Sequence, residues 1–426
     1  MRPDRDPTPI SPWRRWLPVA GILLLLVVAC LAYLRARYAW TDVYSLLTGA
    51  AVFVSRKRLA VLLVFSGVLV WGAARWRSSA RIAHPATLAY AAGVMCDGII
   101  LLLLEPLGIS HGPVLLPLAL VAAVRCAFAL GLSVLVLLLG RAMRQKPLWP
   151  LLHVAGQMLI FILVVDGFVI EPTRLTVSRV AVPDPHYANA RPARVVQISD
   201  LHIERANDLT QRLVETVNGL HPDVIVLTGD YLNTSYSNDP RARADLSGLI
   251  GALHARHGIY AIRGNVDTPH LTRQLFAAAH VTVLEDRWIS LQIDGRPLVL
   301  VGVGIHHDSD YYRDLQLDRQ ALAETVRTMP RGSFSVLLYH SPDLVPEAAA
   351  AGLDLYATGH THGGQVRLPF YGALTTLSLY GKRYEMGPYR QGNTLVYVSR
   401  GVGMEGWLMP RMRFLCPPEI VVFDIG

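Results

Sequence analysis

The first 170 residues contain five apolar runs, each about long enough for a helix to cross a lipid bilayer. These runs cover residues 16–34, 59–74, 86–104, 113–140 and 150–170. A helix needs about 20 residues to span about 30 Å of hydrocarbon. The sequence therefore predicts a membrane region of about five helical spans over residues 16–170, preceded by a tail at residues 1–15. The run at 113–140 is longer than a span requires and contains Arg125.

The charge distribution differs between the two halves of the chain. Residues 1–180 contain 18 Lys and Arg against 7 Asp and Glu, and residues 181–426 contain 22 against 25. The positive excess belongs to the apolar half, so it indicates membrane topology and not nucleic-acid binding. With the tail in the cytoplasm, Lys and Arg cluster inside, the 105–112 loop is outside, and an odd number of spans makes the C-terminal half extracytoplasmic. Five basic residues between the first two runs oppose this orientation.

Two acidic residues, Asp97 and Asp166, lie within or near the ends of the predicted spans. Carboxylates in a membrane can mark the path of an ion or a substrate. This gives an alternative function, in which the membrane region is a transporter or sensor and the C-terminal domain regulates it. In the simpler interpretation, the two carboxylates face neighbouring helices or the headgroups, since paired basic residues are not evident in the sequence.

After a linker at residues 171–190, the pattern changes to short apolar runs that alternate with amphipathic segments. Strands are predicted at Arg194–Ser199, Asp223–Thr228 and Ile259–Ile262, and a helical spacing follows each of them. This alternation is typical of a sheet flanked by helices. Further strands are predicted up to Asp424, and long helices are scarce beyond Ser290. Residues 191–426 are therefore predicted to form one α/β domain.

Five of the predicted strands end in a short polar turn that contains metal-binding side chains. The turns are 199–202 (SDLH), 229–230 (GD), 264–267 (GNVD), 339–343 (YHSPD) and 359–364 (GHTHGG). Each turn alone is a weak signal, because a histidine or aspartate can equally cap a turn or lie in a surface loop. Side chains at the ends of neighbouring strands meet at one edge of a sheet. Five such turns in order therefore predict one site there.

The order of these turns resembles the signature of the calcineurin-like metallophosphoesterases, D-x-H, G-D, G-N-H-D/E, H and G-H-x-H. The resemblance covers residues 170–426 and is closest to a membrane-associated bacterial branch, as Glu171-Pro172, GHTHGGQ at 359–365 and Pro418-Glu419-Ile420 indicate. It implies a four-layer αββα sandwich and a bacterial, multi-pass membrane enzyme. It also implies that Asp200, His202 and His362 hold one metal ion, that Asn265, His340 and His360 hold another, and that Asp230 bridges them.

The residue types agree with two divalent cations. Carboxylate, amide and imidazole groups without a thiolate suit Mn, Fe, Zn or Co. Such a pair of cations clamps phosphoryl oxygens and makes hydroxide available near neutral pH, which would hydrolyse a phosphodiester, phosphoanhydride or phospholipid. On this prediction, Asp230 and Asn265 act in catalysis through the metals. Metal-dependent binding without hydrolysis is a further alternative.

The chain departs from the signature at Val266, where the family has a histidine that protonates the leaving oxygen. Loss of a general acid typically costs about 10²–10⁴-fold in rate. Three explanations follow: a substrate with a good leaving group, such as an anhydride; a substitute acid, for which His306 and His307 are candidates; or a domain that hydrolyses little. His306 and His307 also fit a solvated loop. Asp267 remains, and in the family it orients the missing histidine.

Attachment to a membrane favours a lipid-linked substrate. The apolar segment 407–410 (WLMP) precedes Arg411 and Arg413, and these residues are candidates for contact with lipid and its phosphate. The segment also fits a core position, and Arg400, Arg411 and Arg413 fit a role in balancing nearby acids. Relatives of the membrane-associated branch act on phospholipids or on a nucleotide-activated lipid diphosphate. An extracytoplasmic domain would exclude the latter.

Overall fold

A computed structural model describes residues 56–75, 80–138, 148–184, 191–277, 279–306, 315–406 and 411–426. The predicted tail and the first predicted span, at residues 16–34, lie outside these ranges. The other four predicted spans fall on helices: α1 (Arg56–Arg75), α2 (Ala80–Leu103), α3 (Leu115–Leu138) and α4 (Leu148–Val165). In the described part of the chain, three segments are long and apolar enough to cross a membrane, at Pro85–Leu103, Leu115–Val136 and Leu148–Thr173. The apolar part of α1, Leu59–Gly72, is shorter.

A buried polar network joins three of these helices. The Arg125 guanidinium on α3 donates to both carboxylate oxygens of Asp97 on α2, at 2.5 and 2.8 Å, and both side chains are fully buried. It also donates to the backbone and side-chain oxygens of Gln157 on α4, at 2.7 and 3.0 Å. Gly93 leaves the space that the guanidinium occupies, since a Cβ there would lie 2.5 Å from Arg125 Nη1. The sequence-based view that Asp97 lacks a basic partner was wrong, because Arg125 lies on another helix.

The C-terminal domain contains two six-stranded sheets. The first has the order β1 (Thr176–Val182), β14 (Glu419–Ile425), β2 (Ala193–Ile198), β3 (Val224–Leu227), β4 (Ile259–Ala261) and β5 (Val281–Val283). The second has the order β12 (Gly387–Gln391), β13 (Thr394–Val398), β9 (Leu355–Thr358), β8 (Phe334–Leu338), β7 (Arg296–Gly302) and β6 (Arg287–Ile293). A small hairpin pairs β10 (Arg367–Leu368) with β11 (Gly372–Ala373).

The sheets pack face to face, and each carries helices on its outer face. Val195 contributes to the core between the sheets, whereas its neighbour Val196 packs under the outer helices, because successive strand residues point to opposite faces. The outer helices of the first sheet are α5 (Asp208–Gly219), α6 (Pro240–Gly251) and α7 (Pro269–Ala277); those of the second are α8 (Gln316–Thr328) and α9 (Val345–Ala350). This arrangement confirms the predicted four-layer αββα sandwich.

Local sequence explains where the outer helices begin. Asn207 and Thr210 form a reciprocal capping box at the start of α5. Asp239 caps α6 and is followed by Pro240, whose fixed φ suits a first helical position.

Two parts of the chain differ from the sequence-based prediction. The segment 171–190, predicted as a linker, contains β1, which is paired with β14 over its whole length. The part beyond Ser290, predicted to be almost free of long helices, contains the 13-residue helix α8.

The strand registers place the end of the membrane region beside the edge where β2 and β3 end. β1 starts at Thr176, opposite Glu419, and β14 runs antiparallel to β2, with Val421 opposite Gln197. The start of β1 therefore lies at the same edge as the end of β2. The chain reaches this edge from α4 through a wide helical turn (Asp166–Ile170) and a 3₁₀ turn (Glu171–Thr173). The end of α4 and the polar turns thus lie on one side of the domain.

Candidate metal centre

The polar turns after β2, β3 and β9 hold five of the seven predicted ligands in an unusual backbone conformation. Asp200, His202, Asp230, His360 and His362 all have positive φ, between 39° and 68°. Residues with a β-carbon rarely adopt this region, and each instance costs about 1–2 kcal/mol in an L-residue. Such strain concentrates at functional sites, where surrounding structure holds it in place. The same five side chains are buried.

One group of ligand atoms comes from the turns after β2, β3 and β9. The atoms of Asp200, His202, Asp230 and His362 all lie within 4.8 Å of one another. Nε2 of His202 is 3.0 Å from Nε2 of His362 and 3.5 Å from Oδ2 of Asp230. Nε2 of His362 is 3.4 Å from Oδ1 of Asp200.

A second group shares Asp230 with the first and adds His340 and His360. Nε2 of His340 lies 3.2 Å from Oδ2 of Asp230. Oδ1 of Asn265, on the turn after β4, lies 3.0 Å from Nε2 of His340 and 3.1 Å from Nδ1 of His360. Asn265 is exposed, so the site opens to solvent on this side. The structure therefore brings all seven predicted ligands together.

Hydrogen bonds fix which nitrogen of His340 and His360 carries the proton, and a charge contact with Glu405 does so for His202. His340 Nδ1 donates to Thr228 O at 2.7 Å, His360 Nε2 to Leu377 O at 2.9 Å, and His202 Nδ1 faces Glu405 Oε2 at 2.9 Å. In a neutral imidazole the other nitrogen then has a lone pair, and here each points at oxygens or at another imidazole nitrogen. Lone pairs that converge in this way repel each other unless a cation lies between them. The donor set therefore fits metal binding.

The electrostatics of the cluster also indicate a need for positive charge. Burial lowers the pKa of His340, but the Asp230 carboxylate outweighs it and raises the pKa to about 10. Burial likewise lowers the pKa of His202, but the Glu405 carboxylate raises it to about 9. Burial and the charge of His340 lower the pKa of His360 to about 3. Protons on two histidines balance the carboxylates, and a bound cation would replace them.

Two glycines allow these turns to approach closely. A Cβ on Gly229, which has φ of 97°, would lie 2.5 Å from the Gly264 nitrogen and 2.8 Å from Nδ1 of His340. A Cβ on Gly264 would lie 2.1 Å from Oδ1 of Asp230. Larger side chains at either position would displace a predicted ligand.

Asp267 contacts backbone and not the ligand cluster. Its buried carboxylate accepts from the amides of Asp230 at 2.7 Å, Tyr231 at 3.1 Å and Gly264 at 2.8 Å. It therefore ties the turn after β3 to the turn after β4. Val266, the residue in place of the family histidine, is half-buried beside it, and its amide donates to Oδ1 of Asp230 at 3.1 Å.

The candidate substitute acids lie elsewhere or outside the described residues. His306 places its two ring nitrogens against Asp318, at 2.9 Å, and Asp286, at 2.7 Å. Both nitrogens are thus engaged with carboxylates, and His306 is in neither group of ligand atoms. His307 lies outside the described residues.

The three arginines considered as phosphate contacts bind protein groups. Arg411 donates to Glu204 and to Ser235, both at 2.6 Å. Arg413 is fully buried and donates to backbone carbonyls, including those of Arg400 at 2.9 Å and Gly403 at 2.5 Å. Arg400 itself pairs with Glu419 at 2.9 Å. These contacts agree with the alternative in which the three arginines balance nearby groups. The segment 407–410 lies outside the described residues.

Sequence reasoning missed two residues that support the cluster. Glu405 holds His202, and it follows β13 in a glycine-rich polar turn, the same signal that marked the predicted ligands. Cys416 donates through Sγ to the His362 carbonyl at 3.0 Å, and its amide donates to the Glu171 carboxylate at the end of the membrane region. No local pattern marks Cys416.

Comparisons with known proteins agree with this arrangement. The sequence profile of the family described as calcineurin-like phosphoesterase matches residues 193–364. YkuE of Bacillus subtilis (strain 168), an uncharacterized metallophosphoesterase, is 33% identical over 54% of this chain and 78% of its own length. The phosphodiesterase YaeI of Escherichia coli (strain K12) is 29% identical over 56% of this chain and 83% of its own.

Two further proteins are less similar to this chain in sequence. LpxG of Chlamydia trachomatis (serovar D), named UDP-2,3-diacylglucosamine pyrophosphatase, is 24% identical over 59% of this chain and 89% of its own. Among solved structures, the phosphopantetheinyl hydrolase PptH of Mycobacterium tuberculosis aligns with a TM-score of 0.32 and 13% identity over 50% of this chain and 91% of that protein.

Proposed function

Because this chain belongs to the calcineurin-like metallophosphoesterase family, we propose that it hydrolyses a lipid-linked phosphoester or phosphoanhydride at a binuclear metal centre. Metal-dependent hydrolysis of phosphoric esters or anhydrides is the activity of the family, and the ligand cluster is present in this chain. We infer the number of metals and the substrate class from the position and geometry of the ligand cluster. We infer the sidedness from the charge of one loop and its contacts with the domain.

The observation that supports two metals is that Asp230 belongs to both groups of ligand atoms. Asp200, His202 and His362 would hold one ion, and His340, His360 and Asn265 the other. When bound, divalent cations supply positive charge for the phosphoryl oxygens and lower the pKa of water toward neutrality.

The chain's own residues prepare this site for a cation. Burial alone would raise the pKa of Asp230, but the His340 charge lowers it below its usual range, so the shared carboxylate stays ionised at neutral pH. The Val266 amide holds one of its oxygens and leaves the other toward the imidazoles. We assign Asp267 a positioning role, because its three amide contacts keep Asp230 and Gly264 in place.

Val266 takes the place of the family's general acid, so it limits which leaving groups the site can release. We propose a substrate whose leaving group needs no general acid, such as an anhydride, because His306 has both nitrogens engaged by carboxylates. We expect V266H to raise kcat/KM on an alkyl phosphodiester by about 10–100-fold and on a diphosphate by less than about threefold. Equal gains on both substrates, measured with the same metal, would argue against an anhydride.

The position of the site supports a lipid-linked substrate. The strand registers place the ligand turns at the edge that adjoins the membrane region, and only Cys416 separates His362 from Glu171. The relative LpxG is named for a substrate that contains both acyl groups and a pyrophosphate; for an extracytoplasmic domain we propose a lipid-linked phosphate or diphosphate without the nucleotide. A lipid phosphate in the bilayer would lie close to this edge.

We infer the sidedness of the domain from one loop. The 105–112 loop has no Lys or Arg, which marks it as extracytoplasmic by the positive-inside rule. Two residues of this loop contact the domain. The His111 amide donates to Glu204, and Asn207 donates to Gly108 O at 2.8 Å. The domain therefore lies on the same side as this loop. We expect an impermeant maleimide to label an E324C variant, with its cysteine at an exposed position on α8, on intact cells; labelling only after lysis would contradict this.

The central experiment uses the full chain in detergent, loaded with Mn²⁺. We expect hydrolysis of at least one of three substrate classes, namely a chromogenic diester, a monoester and a lipid diphosphate. D230N should lower the rate by about 10³-fold or more and reduce the bound metal, whereas E324Q, at an exposed glutamate on α8, should change neither. Full activity in D230N, or no turnover of any class by metal-loaded protein, would refute the proposal.

A further inference from the structure

Exposed apolar side chains of the domain are concentrated in one region. Among the described residues from 176 onward, seven large apolar side chains are exposed. Val177 lies on β1 and Leu317 on α8. The other five lie on the β10–β11 hairpin or within three residues of a residue bonded to it, and we call them the apolar patch: Leu368, Phe370, Tyr371, Leu379 and Leu415. Soluble surfaces rarely concentrate apolar side chains in this way, and such a patch marks a contact with a protein or a membrane.

The tip of the β10–β11 hairpin holds the most exposed of these side chains. Phe370 has an exposed fraction of 110%, and Tyr371 one of 58%. Phe370 also has φ of 65°, so the tip keeps a large aromatic residue in a conformation that favours glycine. Nothing in the described part of the chain covers this phenyl ring.

The base of the hairpin is connected to the membrane region. Val366 forms a bridge with Phe414, and the Arg367 amide donates to Phe414 O at 3.0 Å. One residue earlier, the Arg413 amide donates to Gly167 O at 2.9 Å, just beyond α4. Met412 packs with the ends of the membrane helices. The segment 412–414 thus lies between the membrane region and the hairpin, and Leu415 of the patch follows directly.

Basic side chains flank the aromatic tip. Lys382 places its ammonium 4.1 Å from the centroid of the Tyr371 ring, donates to Tyr371 O and Ala373 O, each at 2.8 Å, and pairs with Glu385 at 2.7 Å. Lys382 and Arg383 are both exposed. Aromatic rings beside basic groups are typical of surfaces at the boundary between lipid headgroups and acyl chains.

We propose that the apolar patch contacts the lipid bilayer that the helices cross, with Phe370 and Tyr371 at the level of the acyl chains and the exposed Arg383 near the headgroup phosphates. The patch continues from the membrane region through segment 412–414, and its composition matches a lipid boundary. This contact would hold the edge with the ligand turns against the membrane. The proposal rests on insertion of the helices and is independent of the identity of the substrate.

The test uses the full chain with p-benzoylphenylalanine in place of Phe370, reconstituted in phosphatidylcholine and phosphatidylglycerol vesicles. The matched control has the same photoreactive residue at Leu317, an exposed apolar position on α8 (56% exposed). We expect mass spectrometry after illumination to find lipid adducts at position 370 at about ten times the yield at position 317, in keeping with burial of one aromatic ring. Equal yields, adducts to a second copy of the chain, or the absence of lipid adducts at position 370 would overturn the proposal.

A second measurement separates this proposal from the proposed function. The double variant Phe370→Ser, Tyr371→Ser should hydrolyse a soluble chromogenic diester at the wild-type rate, because neither residue is a predicted ligand. In vesicles, its hydrolysis of a bilayer-embedded diester should fall about tenfold, whereas Leu317→Ser should leave both rates unchanged. Equal losses on the soluble and embedded diesters would overturn the membrane role while leaving the hydrolase assignment intact.

Discussion

Five of the seven predicted metal ligands are residues whose φ lies in the left-handed region. Backbone strain of this kind persists only when neighbours hold it, and several contacts do so here. The Asp200 carboxylate accepts from the His360 amide at 3.0 Å, and Asp267 fixes the amide of Asp230. Each of these turns therefore depends on a neighbouring turn, and ligand geometry is a property of the whole cluster. Glu405 extends this dependence beyond the ligands themselves.

At this scale we expect E405Q to weaken metal binding without unfolding the protein. The Glu405 carboxylate keeps the proton of His202 on Nδ1, which leaves Nε2 free for a cation. Loss of such an outer contact typically lowers metal affinity by about 10–100-fold. Metal content after dialysis against a buffered series of free Mn²⁺ measures the change, with E324Q as control. Wild-type affinity in E405Q would assign Glu405 a purely structural role.

Between elements, His306 joins the second sheet to an outer helix. It follows β7 and bridges Asp286, just before β6, and Asp318 on α8, which also accepts from Tyr339 at 2.6 Å. The hydrogen bonds to Asp286 and Asp318 raise the pKa of His306 to about 10. A histidine whose pKa is raised on folding stabilises the native state fully below its unfolded pKa of about 6.5. This contribution is lost as the pH rises through about 10.

We therefore expect H306Q to destabilise the full chain more at pH 6 than at pH 10. Hydrogen bonds to charged groups contribute about 1.5–3 kcal/mol, and partial exposure of the ring places the loss near the lower end. Urea denaturation at both pH values measures it. H254Q changes an exposed histidine and should show no such difference. A loss for H306Q that is the same at both pH values would contradict a charged His306.

In the molecule as a whole, a buried ion pair helps to determine how the apolar N-terminal helices pack. Asp97, Arg125 and Gln157 come from three helices, and every polar atom of the guanidinium has a partner among them. Because α4 leads directly into β1, helix packing also affects the position of the domain. A closed network of this kind is what a structural ion pair requires, and an ion path would need groups open to water.

We expect D97N to destabilise the full chain by about 3–5 kcal/mol, since it leaves the Arg125 charge buried without its partner. The double variant D97L, R125M should recover most of this loss, because replacing both charges removes the unpaired group. The thermal midpoint in detergent measures both, and E105Q, at an exposed carboxylate, serves as control. A double variant as unstable as D97N would show that the charges are not the cause.

The parts that sequence reasoning predicted are those encoded locally. Each predicted ligand follows a buried strand within two to four residues, so the strand pattern and the turn residue lie together in the sequence. The parts that it missed depend on distant partners. β1 is recognisable only beside β14, more than 240 residues later, and Asp97 finds Arg125 on another helix. Arg413 resembles a surface residue until the surrounding carbonyls are known.

The pairing of β1 with β14 has a practical consequence for any attempt to separate the domain from its anchor. A truncation near residue 190 would remove β1 and leave the seven residues of β14 with unsatisfied amides and carbonyls along one side. Four of these residues, Ile420–Phe423, are apolar and fully buried in the intact chain. A bare apolar strand at the border of a sheet invites aggregation. Soluble protein should therefore require a cut placed before Thr176.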